Sequence, residues 1–140
     1  MLYGDFLKNL STCPFCENRQ ERILENKHAY LTYALVPVSK HHLMVVPHRH
    51  VESLTDITLE EMAHVNMLEI KALKTLLKLG HGNIVLLVRE AKHKDKSIDH
   101  LHFHLMPEFS LVDRDIDPKE KKILTESEIK ETIEEIKKVL

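Results

Sequence analysis

In residues 98–106, IDHLHFHLM, histidines alternate with apolar residues. Successive side chains of a β-strand point to opposite faces of its sheet, so this period of two predicts a strand. One face of that strand would carry His100, His102 and His104. The other face would consist of the apolar side chains Leu101, Phe103 and Leu105.

The spacing of these histidines limits what they can do together. Alternate side chains on a strand lie about 6.6 Å apart, so His100 and His104 are expected about 13 Å apart. One zinc ion, with Zn–N bonds of about 2.1 Å, could not easily bind all three rings. We therefore expect the three histidines to divide their roles. A solvated polar face is the simplest interpretation, and an imidazole nucleophile for phosphorus is the more specific one.

The rest of the chain predicts a meander of strands and one long helix. Residues 22–25, 28–36 and 42–46 are rich in β-forming side chains, and residues 83–90 form a further apolar segment. Thr58 and Glu61 have the spacing of a capping box, and apolar residues follow at helical spacing until Gly80, which predicts a helix over about 59–79. Helix-start signals at Asp117 and Thr125 predict a helical tail.

Size and charge exclude several classes of function. The 140 residues fit one compact domain, and 20 basic against 22 acidic side chains give a net charge of -2. Together with only 4 Phe, 3 Tyr and no Trp, this balance gives no basis for binding a nucleic acid polymer. The longest apolar run, residues 84–88, is far shorter than the ~20 residues that cross a bilayer, and the first residues do not form a secretory signal. We expect a soluble, cytoplasmic protein without a membrane partner.

The only two cysteines, Cys13 and Cys16, form the C-x-x-C arrangement CPFC. In a chain that is not exported, this spacing indicates either a redox pair or half of a metal site. A thioredoxin-like βαβ order does not accompany it, and two ordinary buried thiols are the third interpretation.

Taken together, HLHFHLMP at residues 100–107, HHLMVVPHRH at residues 41–50 and the serine at Ser97 resemble the histidine triad (HIT) family. The resemblance covers about residues 13–107, which implies a single HIT-like domain over residues 1–140 with a C-terminal helical extension at about 117–140. It implies an α+β fold, with an antiparallel sheet of about five strands and one long helix. It also implies a homodimer that acts on nucleotides.

The resemblance further implies a role for each site residue. His102 would be the nucleophile that attacks the α-phosphorus and forms a nucleotidyl-histidine intermediate. His104, His42 and Ser97 would bind the phosphate, orient His102 or contact the leaving group. Apart from the resemblance, Arg89 and Lys96 lie just before the triad, and their positive charge would stabilise the phosphate oxygens or bind further phosphates.

A zinc-bearing subset of the family has a matching ligand pattern. Cys13, Cys16, His50 and His100 correspond to its two sulfur and two nitrogen ligands. Four ligands leave no open coordination position, so the implied zinc is structural. His48 is an alternative to His50, because strand alternation places both on the same side.

Two departures from the family pattern bear on the substrate. Ala34 stands where many members have an acidic residue for the ribose hydroxyls, and Arg89 stands where an Asn is common. The lysine-rich residues 91–96 are equally consistent with a polyphosphate-binding loop and with a solvated loop.

The expected activity is cleavage of a phosphoanhydride or phosphoramidate bond, as in a dinucleoside polyphosphate or nucleoside phosphoramidate. The alternatives are a non-catalytic nucleotide-binding protein stabilised by zinc and a zinc hydrolase. His28, His64, His81 and His93 fit no motif and are expected at the surface or in packing contacts.

Overall fold

The computed structural model describes residues 2–90, 98–110, 118–120 and 122–140. The chain divides into two compact units, Met1–Phe109 and Ser110–Leu140. The interpretation of both as one domain with an extension stays a prediction. None of the helices within the described ranges is long and apolar enough to cross a membrane.

The first unit is built on a five-stranded antiparallel sheet. Its strands are β1 (Leu24–Glu25), β2 (Ala29–Tyr33), β3 (Leu43–Pro47), β4 (Ile84–Val88) and β5 (Phe103–Pro107). They follow the spatial order β1-β2-β3-β5-β4. The helices are α1 (Tyr3–Lys8), α2 (Leu59–Lys78) and, in the second unit, α3 (Glu126–Lys137), which follows a short 3-10 turn at Pro118–Glu120. The predicted α+β class with one long helix and a C-terminal helix is confirmed.

The long helix α2 begins where its capping box predicts. The Thr58 side chain accepts a hydrogen bond from the Glu61 backbone, and the Glu61 carboxylate accepts one from the Thr58 backbone. Its buried face packs on one face of the sheet, where the alternating side chains of β2, β3 and β5 complete the core. That core includes Val65, Leu68, Ala72 and Leu76 of α2 and Leu31, Val45, Leu101, Phe103 and Leu105.

The other face of the sheet carries the second apolar cluster. Alternation directs Tyr30, Met44 and Val46 away from α2, and Phe15 covers them together with Ala34. Met44 pairs with His104 across β3 and β5. The histidine-bearing face of β5 therefore lies on the side of the sheet that α2 leaves open.

Strand β5 is shorter than predicted. It begins at Phe103, and residues 98–102 lie outside the ladder. The reason is that this segment bonds to the end of β3 and to the chain that follows it. The His100 ring lies 2.8 Å from the Pro47 carbonyl oxygen, and the Leu101 N–H donates to the Val51 carbonyl at 2.7 Å. His100 is fully buried as a result. The expectation of three histidines evenly spaced along one strand was therefore wrong: only His104 lies in β5, His102 directly precedes it, and His100 is turned away and buried.

Helix α3 in the second unit has its own capping box between Thr125 and Glu128. Its apolar stripe of Ile129, Ile133 and Ile136 is exposed. The short helix α1 was not predicted from the sequence; six residues give too little periodicity to detect.

Candidate active site

Two histidines from neighbouring strands are in direct contact on the open face of the sheet. His42 immediately precedes β3 and His104 lies on β5, with His42 Nε2 2.9 Å from His104 Nδ1. The register between β3 and β5 brings them together, since Leu43 pairs with Leu105 and Met44 with His104. His42 is 5% exposed.

The proton positions on His42 and His104 follow from the backbone donor that contacts His42. The Val38 N–H donates to His42 Nδ1 at 3.2 Å, so that nitrogen must carry a lone pair. Burial lowers the pKa of His42. The pKa of His104 is lowered to about 3, mainly by burial and also by charge repulsion from His102, His42 and Arg89. Both rings are therefore neutral near pH 7. His42 donates from Nε2 to His104 Nδ1, and His104 keeps its proton on Nε2.

His102 is held in the tautomer that a nucleophile needs. Its Nδ1 lies 2.8 Å from the His100 carbonyl oxygen, and because a carbonyl only accepts, Nδ1 carries the proton. In the neutral ring, Nε2 then carries the lone pair. The ring centroids of His102 and His104 are 4.8 Å apart. A nucleophilic nitrogen and an N–H donor are thus presented by two adjacent rings.

The remaining predicted phosphate contacts are only partly described. Arg89 follows β4 directly, and its charge acts on His104. Ser97 and Lys96 lie outside the described residues, so their predicted contacts remain predictions. Ala34 is buried in the cluster with Phe15 and Tyr30, and a methyl group offers no hydrogen bond to a ribose hydroxyl.

Four potential metal ligands meet beside His102. One donor atom from each of Cys13, Cys16, His50 and His100 lies within 4.8 Å of the other three. We refer to these residues as the four-donor cluster. His100 Nδ1 is 3.4 Å from Cys13 Sγ and 3.3 Å from Cys16 Sγ, and His50 Nδ1 is 3.2 Å from Cys16 Sγ. Two sulfur and two imidazole donors are a typical zinc ligand set.

The second nitrogen of each imidazole in the cluster is already bound elsewhere. His100 donates from Nε2 to the Pro47 carbonyl at 2.8 Å, and His50 donates from Nε2 to Glu52 Oε1 at 3.2 Å. Both rings therefore present the Nδ1 lone pair to the cluster. In metal sites the ligating histidines are commonly held in this way, by a hydrogen bond from the other ring nitrogen. His48 bonds instead to the Asn26 carbonyl at 3.0 Å and is not part of the cluster.

Phe15 joins the four-donor cluster to the triad, and sequence reasoning missed it. Its ring centroid is 5.7 Å from that of His100 and 5.2 Å from that of His102. It is 4% exposed. The available signal was an aromatic residue inside CPFC, which a binding site for metal alone does not require.

Comparison with known proteins identifies the family of this chain. The family model described as the HIT domain matches residues 16–111. The chain therefore belongs to the HIT family, and the resemblance inferred from its motifs is confirmed.

Relatives of known sequence are distant. Adenosine 5'-monophosphoramidase HNT1 of Saccharomyces cerevisiae is 29% identical over 102 residues, which cover 69% of this chain and 63% of the yeast protein. An uncharacterized HIT-like protein of Methanocaldococcus jannaschii, MJ0866, is 24% identical over 102 residues, covering 69% of this chain and 79% of that protein. The match thus leaves more than a third of the yeast protein unaccounted for.

Solved structures share the fold at low identity. A HIT family protein from Bacillus subtilis superposes with a TM-score of 0.74 at 19% identity, covering 93% of this chain and 98% of that one. A Zn-bound histidine triad family protein from Mycobacterium smegmatis gives a TM-score of 0.64 at 21% identity, covering 76% and 84% of the two chains.

Proposed function

We propose that this protein is a nucleotide hydrolase or nucleotidyl transferase that cleaves a phosphoramidate or phosphoanhydride bond at the α-phosphorus, with His102 as the nucleophile. The observation that carries the proposal is the hydrogen bond from His102 Nδ1 to the His100 carbonyl, which leaves Nε2 unprotonated. HIT-family membership and the yeast monophosphoramidase relative support nucleotide chemistry in general terms.

The proposed reaction has two displacements at phosphorus. In the first, His102 Nε2 bonds to the α-phosphorus while the bond to the leaving group breaks, and the leaving group departs with the electron pair and takes up a proton. The His100 carbonyl accepts a hydrogen bond from Nδ1–H of His102 and so stabilises the positive charge of the substituted ring. In the second, water attacks the phosphorus, Nε2 departs with its electron pair, and the nucleoside monophosphate is released with loss of a proton to solvent.

His104 and His42 support this reaction through their protons. His104 keeps N–H at Nε2 because His42 donates to its Nδ1, and we assign that N–H to the non-bridging phosphate oxygens. Arg89 and Lys96 would add positive charge for further phosphates, and Ser97 would bond to the phosphate or leaving group. The yeast relative supports a phosphoramidate substrate, whereas the basic residues support a dinucleoside polyphosphate.

We assign the four-donor cluster to a structural zinc ion. Its two thiolates and two imidazoles would hold the ion and leave no position for a substrate or water. The ion would supply rigidity, because it would fix His100, whose carbonyl orients His102. This assignment disfavours a zinc hydrolase.

We further propose a homodimer in the cytoplasm. The sheet order places β4 at an edge, where Leu86 is 45% exposed, and a second copy could continue the sheet there. Nucleic acid polymers and membranes are not expected as partners.

The test is a panel of adenosine and guanosine phosphoramidates and dinucleoside polyphosphates, assayed with wild type, His102→Asn and the control His48→Asn. We expect nucleoside monophosphate release by wild type and His48→Asn, and loss of turnover with retained folding in His102→Asn. If every substrate binds and none is cleaved, the protein is the non-catalytic nucleotide-binding alternative.

A further inference from the structure

A second group of metal-ligating side chains lies away from the triad and the four-donor cluster. His28 directly precedes β2, and Glu60 and His64 lie on the first two turns of α2. One donor atom from each lies within 4.8 Å of the other two. We call these three residues the His28 cluster.

Both imidazoles of this cluster have a nitrogen suited to binding a metal. His64 Nδ1 donates to the Glu60 backbone carbonyl at 2.8 Å, so in the neutral ring Nε2 carries a lone pair. His28 Nε2 is buried and lies 3.1 Å from Glu60 Oε1, yet it makes no hydrogen bond to any residue that the structure describes. A buried polar atom without a hydrogen bond costs about 1–3 kcal/mol unless something satisfies it.

The backbone around the His28 cluster is fixed by one side chain. Asn26 donates from Nδ2 to the His64 carbonyl at 2.9 Å and accepts at Oδ1 from the His28 N–H at 3.2 Å and the Ala29 N–H at 3.0 Å. The His28 and His64 rings meet edge to face, with centroids 4.7 Å apart. Two ligands from distant parts of the sequence are therefore positioned before any ion binds.

The Glu60 carboxylate of the cluster already binds one cationic group. Lys27 Nζ lies 3.0 Å from Glu60 Oε1 and forms an exposed ion pair. The ammonium group occupies the place that a cation would take, so the two compete for one oxygen.

We propose that His28, Glu60 and His64 form a second metal site, which binds a divalent transition ion such as Zn²⁺, Ni²⁺ or Cu²⁺. Two imidazoles with one carboxylate suit these ions, whereas Ca²⁺ and Mg²⁺ require more oxygen ligands. Ligands of a tetrahedral ion with bonds of about 2.1 Å lie about 3.4 Å apart, so small side-chain shifts complete the site. Three protein ligands leave an open position for water. The bound ion would tie the turn before β2 to α2.

Metal stoichiometry tests the proposal with the full-length protein. Wild type, His64→Ala and the control His81→Ala are dialysed against graded free Zn²⁺ through the micromolar range and analysed for bound metal. His64 is partly exposed on α2, where alanine favours the helix, and circular dichroism checks folding. We expect two equivalents in wild type and His81→Ala and one in His64→Ala. Saturation of wild type at one equivalent, or a second equivalent retained in His64→Ala, would overturn the site.

Cobalt substitution separates this site from the four-donor cluster. Co²⁺ at two thiolates gives sulfur-to-metal charge-transfer absorption, whereas Co²⁺ in the His28 cluster gives only ligand-field bands. We expect the second equivalent of Co²⁺ to add no charge-transfer absorption. An increase in this absorption with the second equivalent would refute the assignment.

Lys27→Gln provides a test in the opposite direction. Removing the competing ammonium group should tighten the second equivalent by up to about fivefold, the range of an exposed ion pair. Unchanged or weaker binding would show that Glu60 is not a ligand. Glu60→Gln should lose the second equivalent, like His64→Ala.

Discussion

Replacing His42 with phenylalanine tests how the proton on His104 is controlled. His42 accepts from the Val38 N–H through Nδ1 and donates to His104 through Nε2, at 3.2 and 2.9 Å. Phenylalanine is a ring of similar size that can do neither. Because position 42 is 5% exposed, the ring should pack in place while the Val38 N–H loses its partner. We expect a stability loss of about 1–3 kcal/mol, which is small enough for the protein to fold.

The effect on catalysis should be larger than the effect on substrate binding. Without a donor at Nδ1, His104 can move its own proton there and stop presenting N–H from Nε2. Loss of one preorganised donor to transition-state charge costs about 10²–10³ in kcat. The contact strengthens as charge develops, so KM should change little.

The assay compares kcat and KM of wild type, His42→Phe and His42→Gln on the best phosphoramidate substrate. The glutamine amide has one acceptor and one donor and can replace both hydrogen bonds. We therefore expect glutamine to recover a substantial part of the activity. Full kcat in folded His42→Phe, or equal losses in both variants, would refute the proton assignment.

Three other predictions concern the four-donor cluster, the α2 cap and His104. Cys13→Ser should remove the bound zinc and lower the melting temperature by about 10 °C or more, while unchanged metal content would contradict the four-donor cluster. Thr58→Ala should cost about 1 kcal/mol in denaturant unfolding by loss of the α2 cap, and an unchanged unfolding midpoint would show that the cap does not stabilise α2. The pKa of His104 is lowered from 6.5 to about 3, so its contribution to stability is present above pH 6.5 and is lost as pH falls from 6.5 towards 3. His104→Phe should flatten this part of the pH–stability profile, and a slope equal to wild type would show that His104 is not buried in the neutral form.

The sheet and the long helix could be predicted because their signals are local. The capping box at Thr58 and the helical spacing after it located α2 within one residue of each end. Alternation in Phe103 to Pro107 correctly separated the core face from the histidine face.

The bend before β5 could not be predicted, because its cause is distant in sequence. Residues 98–102 leave the ladder to bond with Pro47 and Val51, which lie about fifty positions earlier. That bend buries His100 beside the cysteines and turns its carbonyl to His102. The alternation of histidines and apolar residues looks the same in the sequence whether or not these residues continue the strand.

Contacts between side chains of separate elements could not be predicted from the sequence either. His48 and His50 lie on the same side by alternation, and only the contact of His48 with Asn26 separates their environments. The same holds for His28 and His64, which fit no motif and yet meet across the turn before β2.

The most direct test of the central claim is to trap the covalent intermediate on His102. Wild type and His102→Asn are mixed with adenosine 5'-phosphoramidate, quenched within the first turnover and analysed as intact protein and as peptides. The account predicts one nucleotidyl group in wild type, on the peptide that contains His102, and none in the variant. Rapid turnover with no covalent adduct, or an adduct on a different residue, would contradict it.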